Sequence, residues 1–279
     1  MNSINHLRIS VTQRCNIKCF YCHHEGQEQI SREMTPDEIY VRVKDMAQLG
    51  IEYVKITGGE PLLRVDIMDI IAKIRSLPEI KEISMTTNGF LLKELACNLK
   101  KAGLDRINVG CDALYSNELP KSMDIILPGI QQALLAGLRP IKVNMVVLKG
   151  LNDHEIPTMI QHASQVGFIL QLIELIPNGN PSFDQYHLSL DNIEKDLEKR
   201  ADKVMVRSLQ GRKQFHLGNA IIEIVGPTQS GFCEACKKIR ITSDGMIKPC
   251  LMRSDNLIPY TGIESIKKAL KLKSPYHPA

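Results

Sequence analysis

The chain has 279 residues, 43% of them hydrophobic and 24% charged, with a formal net charge of +4. That length and mixture belong to a globular protein with a sizeable core and exclude a disordered chain. The small positive charge has no run of five or more basic residues, so the footprint of a nucleic-acid binder is missing, and no apolar stretch is long enough to span a membrane.

Met1 to His6 lack the charged and apolar regions of an export signal, so a cytoplasmic protein with reduced thiols is expected. Short β-branched runs then alternate with helix-patterned segments, as βα units around a parallel sheet do. Strands are predicted at 7–12, 53–57, 82–87, 105–111, 141–147 and 168–175. Between the first two, Thr35-Pro36-Asp37-Glu38 reads as an N-cap, a proline at the first helical position and a capping-box Glu, followed by Ile39, Val43 and Met46 on one face. After the second strand, Ile67, Ile70, Ile71 and Ile74 recur at i, i+3, i+4, i+7 and predict a helix covering the sheet. A complete eight-stranded barrel takes about 250 residues. Six units ending near 175 suit a partial barrel or an open doubly wound sheet, and spacing alone does not choose.

Either fold places its sites in the loops after the strand C-termini. The Cys15 loop follows the first strand, Thr57-Gly58-Gly59-Glu60 closes the second, Thr86-Thr87-Asn88-Gly89 closes the third, and Gly110 ends the fourth. Lys142 and Asn144 lie in the fifth and Glu174 in the sixth, so these features are expected at one mouth. Past Pro177-Asn178-Gly179-Asn180-Pro181, read as a linker, come a charged helix at 191–200, a strand at 220–225, and a turn at Ser243-Asp244-Gly245 between strands at 239–242 and 246–248. The domains are accordingly 1–180 and 181–279.

Six of the eight cysteines fall in two groups, Cys15/Cys19/Cys22 and Cys233/Cys236/Cys250, while Cys97 and Cys111 stand alone and read as small buried apolar side chains. Three thiolates are one fewer than the four that a 4Fe-4S cluster normally takes, which leaves one iron open to a substrate or cofactor. A zinc site would need a fourth ligand, such as His23 or His24 for the first group and His216 for the second. No P-loop or dinucleotide fingerprint occurs, and His154-Glu155 lacks the second His of a zinc protease.

Cys15-Asn16-Ile17-Lys18-Cys19-Phe20-Tyr21-Cys22 resembles the C-x3-C-x2-C loop of the radical S-adenosylmethionine superfamily, and Thr57-Gly58-Gly59-Glu60-Pro61 resembles its second motif. Phe232 to Arg240 and Asp244 to Leu251 are similar to the C-terminal cluster motif of the GTP 3′,8-cyclase family, which opens molybdenum cofactor biosynthesis. The likeness runs through most of residues 7–252, including Thr57 to Arg64, Ile107-Asn108-Val109, Lys142-Val143-Asn144 and Ile173-Glu174-Leu175.

With this resemblance the fold class is α/β, a partial (β/α)6 TIM-like barrel with a smaller C-terminal α+β iron-sulfur extension. The resemblance implies two 4Fe-4S clusters, on Cys15, Cys19 and Cys22 and on Cys233, Cys236 and Cys250. It places S-adenosyl-L-methionine on Tyr21, Gly59, Glu60, Gly110 and Ile176, and GTP on Arg8, Lys55, Thr86, Lys142, Lys238, Ile239 and Arg240. The implied reaction is cleavage of S-adenosylmethionine to a 5′-deoxyadenosyl radical, hydrogen abstraction from C3′ of GTP, and closure onto C8 to give 3′,8-cyclo-7,8-dihydro-GTP. The implied partners are an electron donor and a downstream pterin-forming enzyme, with a homodimer left open.

Several positions depart from the family pattern. Lys237-Lys238 replaces Asn-Arg, Lys55 a common Arg, Gly110 a common Ser and Ile176 a common Met, and the chain ends His277-Pro278-Ala279 where many members carry Gly-Gly. The lysine pair keeps a second reading open, a two-cluster radical enzyme that modifies a peptide. A third, a zinc-binding interaction module, would use both cysteine groups structurally.

Overall fold

The computed structural model describes residues 4–27, 32–115, 119–177, 182–207, 211–226, 233, 236–253 and 255–273. Six strands follow the predicted positions: β1 (His6–Ser10), β2 (Tyr53–Thr57), β3 (Glu82–Thr87), β4 (Arg106–Gly110), β5 (Ile141–Val147) and β6 (Ile169–Glu174). They lie side by side in chain order, all parallel. The helices between them are α1 (Pro36–Gln48), α2 (Ile67–Arg75), α3 (Leu92–Ala102), α4 (Met123–Leu135) and α5 (Ile156–Val166).

Helix α1 starts where its sequence dictates. The Thr35 side chain accepts from Glu38 N and the Glu38 side chain from Thr35 N, and Ile39, Val43 and Met46 are buried. In α2, Ile67, Ile70, Ile71 and Ile74 are all buried, as the stripe predicts. The core lies between helices and sheet, where alternate strand residues such as Leu7, Ile9, Val54, Ile56, Ile107, Val109, Val143 and Ile239 point outward. The opposite parity carries a polar inner face.

The later segments join the same sheet. After α6 (Phe183–Tyr186) and α7 (Asp191–Arg200), the hairpin of β7 (Lys203–Val206) and β8 (Lys213–Leu217) leads to β9 (Ala220–Val225), which pairs in parallel with β6. At the other edge β10 (Lys238–Ile241) pairs in parallel with β1, and β11 (Ile247–Lys248) turns back antiparallel on it. The described sheet therefore runs β11-β10-β1-β2-β3-β4-β5-β6-β9-β8-β7. It curls into an open barrel, within which the inward residues Lys142, Gln171 and Glu223 are buried. The final helix, α8 (Ile263–Lys271), packs Ile266 and Ala269 into the core.

Two sequence expectations fail here. Cys97 is exposed, because it lies one residue past Ala96 on α3, off the stripe of Leu92, Ala96 and Leu99; Cys111 is buried as expected. Glu174 does not face the mouth. It shares the parity of the outward Leu170 and Leu172, and its carboxylate meets His187 Nε2 at 2.9 Å and Leu190 N at 3.4 Å. Of the expected linker only Pro177 lies within the described residues.

Candidate functional site

The parallel strands bring the loop after β1, the turn after β2 and the turn after β3 to one end of the barrel. The first contact there is backbone on backbone. Gly59 N donates to Thr12 O at 2.8 Å and Glu60 N to Arg14 O at 2.8 Å. A Cβ on Gly58 would stand 2.5 Å from Thr12 O, and one on Gly59 2.3 Å from Arg14 O, so the glycines exist to let this turn press against the segment leading into the cysteine loop. Arg64 completes the clamp by donating to Val11 O and Met34 O, both at 2.8 Å.

Glu60 is fully buried. It accepts from Leu62 N at 3.0 Å, Thr87 Oγ1 at 2.7 Å and Asn88 N at 2.6 Å, so its carboxylate ties the β2 turn to the β3 turn. Burial raises its pKa, against those three donors. Asn88 then reaches the cysteine loop, donating to Asn16 Oδ1 at 2.7 Å and approaching Cys15 Sγ at 4.0 Å. Within the loop Cys22 N donates to Cys19 O at 3.1 Å, and Cys22 Sγ accepts from His24 N at 3.4 Å.

Behind the loop lies a buried polar group that the sequence reading missed. The Tyr21 hydroxyl donates to Asp112, Lys121 Nζ pairs with Asp112 Oδ2 at 2.6 Å, and the Lys121 ammonium stands 5.2 Å from the Tyr21 ring centroid. Gly110 makes room for this lysine, since a Cβ there would meet Lys121 Cδ at 3.1 Å. Ile176, just past β6, is buried.

The inner face of the barrel is cationic. Arg8, Lys55, Lys142, Lys238 and Arg240 all share the inward parity, with Thr86 beside them, and Arg106 and Asn108 of β4 join them. Arg8 and Arg240 are register partners on adjacent strands, and Glu25 bridges them: Arg8 Nη2 reaches Oε1 at 2.6 Å and Arg240 Nη1 reaches Oε2 at 2.9 Å. Glu25 sits in the left-handed region, at φ 54°, three residues after Cys22. Burial would raise its carboxyl, but Arg8 and Arg240 overcome that and hold it at about 2. Arg8 Nε is buried with no hydrogen-bond partner among the described residues.

Across the barrel Lys142 Nζ meets Glu223 Oε1 at 2.6 Å, and Arg207, Gln171 and Gln214 donate to the same carboxylate. Burial opposes the charge on Glu223, yet Lys142 and Arg207 hold it at about 2, whereas burial draws Lys142 down to about 7. Lys55 Nζ donates to Asn108 Oδ1 at 2.9 Å. Burial and then the charges of Arg106 and Arg8 press the Lys55 pKa well below the usual lysine range; burial and Arg212 do the same to Lys238. Ile239 alone of the GTP candidates has its side chain in the outer core, paired with Leu7 in register.

The second cysteine group adjoins this face. Cys236 N donates to Cys233 O at 3.1 Å, and Lys273 Nζ donates both to Cys236 Sγ at 3.6 Å and to the carbonyl of Pro249, the neighbour of Cys250, at 3.1 Å. Among the described residues no three sulfur, imidazole or carboxylate groups converge as a single metal ion requires. The fit to an iron-sulfur cluster rests on two sets of three thiols, the first on one short loop and the second on two segments, with Cys22 and Cys236 sulfurs already met by N–H donors.

Arg106, Glu25, Glu223 and Lys121 were not singled out from the sequence. Arg106 was within reach, since it stands two residues before Asn108 in a strand already predicted; Glu25 and Glu223 carried no local signal.

The radical SAM superfamily model matches residues 9–163, and the model described as Molybdenum Cofactor Synthesis C matches 168–275. A protein of Methanocella arvoryzae named probable GTP 3′,8-cyclase is 42% identical over 267 residues, covering 93% of this chain and 85% of its own. One of Methanococcus aeolicus with the same name is 44% identical over 268 residues, covering 91% and 88%. Among solved structures, Streptococcus suis SuiB bound to S-adenosylmethionine superposes with a TM-score of 0.67 at 19% identity, over 89% of this chain and 60% of SuiB, a likeness of fold alone. With these matches spanning both cysteine groups and the strands between them, the chain belongs to the radical SAM superfamily and, within it, to the GTP 3′,8-cyclase family.

Proposed function

We propose that the protein converts GTP to (8S)-3′,8-cyclo-7,8-dihydroguanosine 5′-triphosphate, the first step of molybdenum cofactor biosynthesis. The observation that carries this is the inner face of the barrel. Arg8, Lys55, Arg106, Lys142, Lys238 and Arg240 line it, while the acids facing them are few, and burial and then neighbouring positive charge lower the pKa of Lys55 and Lys238. A polyanion relieves that repulsion, and a triphosphate carries three to four charges in the form that Arg forks and Lys ammonium groups recognise. Arg8 Nε, buried and without a hydrogen-bond partner among the described residues, is a donor for such an acceptor.

In this reading Cys15, Cys19 and Cys22 hold one 4Fe-4S cluster with S-adenosylmethionine beside Tyr21, Gly59, Gly110 and Ile176. Glu60 supports that site by fixing the Gly59 turn. Cys233, Cys236 and Cys250 hold a second cluster next to Lys238 and Arg240. When bound, the first cluster and S-adenosylmethionine supply the carbon radical that takes hydrogen from C3′ of GTP. The chain's own residues bind and orient: Arg8, Arg240, Lys55 and Lys238 grip the phosphates from the β10-β1-β2 side, Thr86 and Asn108 offer neutral contacts, and Ile239 contributes through its backbone. Lys142, shared with Glu223, faces them from the β5-β9 side. An electron donor and a pterin-forming enzyme that takes the product complete the reading, which places the protein in the cytoplasm. No described helix is long and apolar enough to cross a membrane.

The test is anaerobic turnover of reconstituted protein with GTP deuterated at C3′. Deuterium in 5′-deoxyadenosine and a cyclised GTP product are expected, and Arg240→Ala should raise the GTP requirement about ten- to a hundredfold at constant iron content. Cys19→Ala should abolish cleavage of S-adenosylmethionine, whereas Cys236→Ala should keep uncoupled cleavage and lose cyclisation. Unlabelled 5′-deoxyadenosine, with hydrogen supplied by a peptide, would replace this reading by the peptide-modifying one.

A further inference from the structure

The two cysteine groups differ in what touches their sulfurs. On the first group the Asn88 amide approaches Cys15 at 4.0 Å and the His24 backbone N–H donates to Cys22 at 3.4 Å, while the nearby Lys121 ammonium is paired with Asp112 at 2.6 Å. On the second group a cation joins the Lys238 backbone N–H at Cys236. Lys273 Nζ lies 3.6 Å from Cys236 Sγ and 3.1 Å from the carbonyl of Pro249.

This lysine is delivered by an anchored element. Helix α8 buries Ile266 and Ala269 in the core, and the Tyr260 hydroxyl before it donates to Asp45 at 2.6 Å while Arg42 stacks on the Tyr260 ring at 4.4 Å. Its C-terminal end is thereby fixed, and Lys273 N still donates back to Leu270 O at 3.4 Å. Lys267 spends its charge on an exposed carboxylate of the same helix, Glu264. Lys273 alone of the lysines from 267 onward donates to sulfur among the described contacts.

We propose that Lys273 is a positioning residue for the second iron-sulfur centre, joining the Cys236 and Cys250 segments and setting that cluster's reduction potential above the value its thiolates alone would give. The inference rests on the reading of Cys233, Cys236 and Cys250 as cluster ligands. Reduction adds one negative charge to a cluster, so a cationic N–H donor on a ligand sulfur stabilises the reduced form more than the oxidised one. The effect is local to the second centre, because the sulfur that Lys273 touches is Cys236 and, among the described residues, it touches none of the first group.

The experiment uses the full chain with Cys15, Cys19 and Cys22 all changed to Ala, so that only the second cluster is present, reconstituted anaerobically and titrated with the reduced cluster read by electron paramagnetic resonance. Lys273→Met in that background should shift the one-electron reduction equilibrium about tenfold toward the oxidised form, which is about 59 mV downward, and Lys273→Arg should restore most of it. Iron and sulfide content in each variant shows that the cluster is still loaded. The reciprocal chain, with Cys233, Cys236 and Cys250 changed to Ala, should show no shift in the first cluster when Lys273 is replaced. An unchanged midpoint with a loaded second cluster, or an equal shift in the first cluster, overturns the proposal while leaving the ligand reading intact. A chain lacking the first three cysteines that binds no cluster at all overturns the ligand reading, and the proposal with it.

Discussion

Glu25→Gln is the substitution whose consequence is worked most directly from the geometry. The carboxylate is 9% exposed and bridges Arg8 at 2.6 Å and Arg240 at 2.9 Å. Its pKa falls from 4.5 to about 2 in the folded chain, with the two arginines outweighing burial. That difference of about 2.5 units, at 1.36 kcal/mol per unit, corresponds to about 3 kcal/mol of stabilisation by the ionised form. The glutamine keeps the shape and removes the charge, leaving two guanidinium groups facing each other in a pocket already crowded with Lys55 and Lys238.

Urea unfolding at pH 7 of wild type, Glu25→Gln, Arg240→Gln and the double variant, under anaerobic conditions, should give a loss of about 3 kcal/mol for Glu25→Gln. The double variant should lose less than the sum, because removing one arginine relieves the repulsion. Folded pKa lies below the unfolded one, so this stabilisation is complete above pH about 4.5 and is lost only as pH falls toward about 2; the deficit should therefore be flat from pH 8 to 5. Saturating GTP should recover more stability in Glu25→Gln than in wild type, since phosphate supplies the missing anion. Additive single variants, or a deficit below about 0.5 kcal/mol, would refute the bridge as a source of stability.

Gly59→Ala places a methyl 2.3 Å from Arg14 O, so the turn must move; lost cluster retention and lost S-adenosylmethionine cleavage are expected, with iron content as the first measurement. Lys142→Met leaves Arg207 as the remaining cation on the buried Glu223 and should cost about 1.5 to 3 kcal/mol in urea unfolding, part of it recovered by adding Glu223→Gln, and a Lys142→Met chain as stable as wild type would show that the pair is not coupled. His6, stacked on Tyr53 at 4.5 Å, has its pKa lowered to about 4 by burial and then by Lys238. The unfolded chain binds this proton first, so stability is full above pH about 6.5 and falls as pH drops toward 4; the loss should reach about 1 kcal/mol by pH 5.5 and vanish in His6→Gln, read from thermal unfolding.

The local sequence was sufficient wherever the physics is local. The strands β2, β3 and β5, the helix at Asp191–Arg200 and the strand at Ala220–Val225 stand where period and turn residues put them, because alternation and capping are decided by neighbours along the chain. The Thr35–Glu38 box, the isoleucine stripe of α2 and the three-cysteine spacing were legible for the same reason. Cys97 was misjudged because a residue one step off a helical stripe looks no different in composition from one on it.

What the sequence could not determine is where distant segments return. That β9 pairs with β6 and β10 with β1 answers the unpaired N–H and C=O groups along the two edges of the six-stranded sheet, a demand made by the assembled sheet. The same packing decides the electrostatics. Arg8, Lys55, Lys142, Lys238 and Arg240 could be read as cations, but their compensation by Glu25 and Glu223 arises only when residues 215 and 81 positions apart meet inside the barrel, where low dielectric makes each unpaired charge costly enough to select its partner.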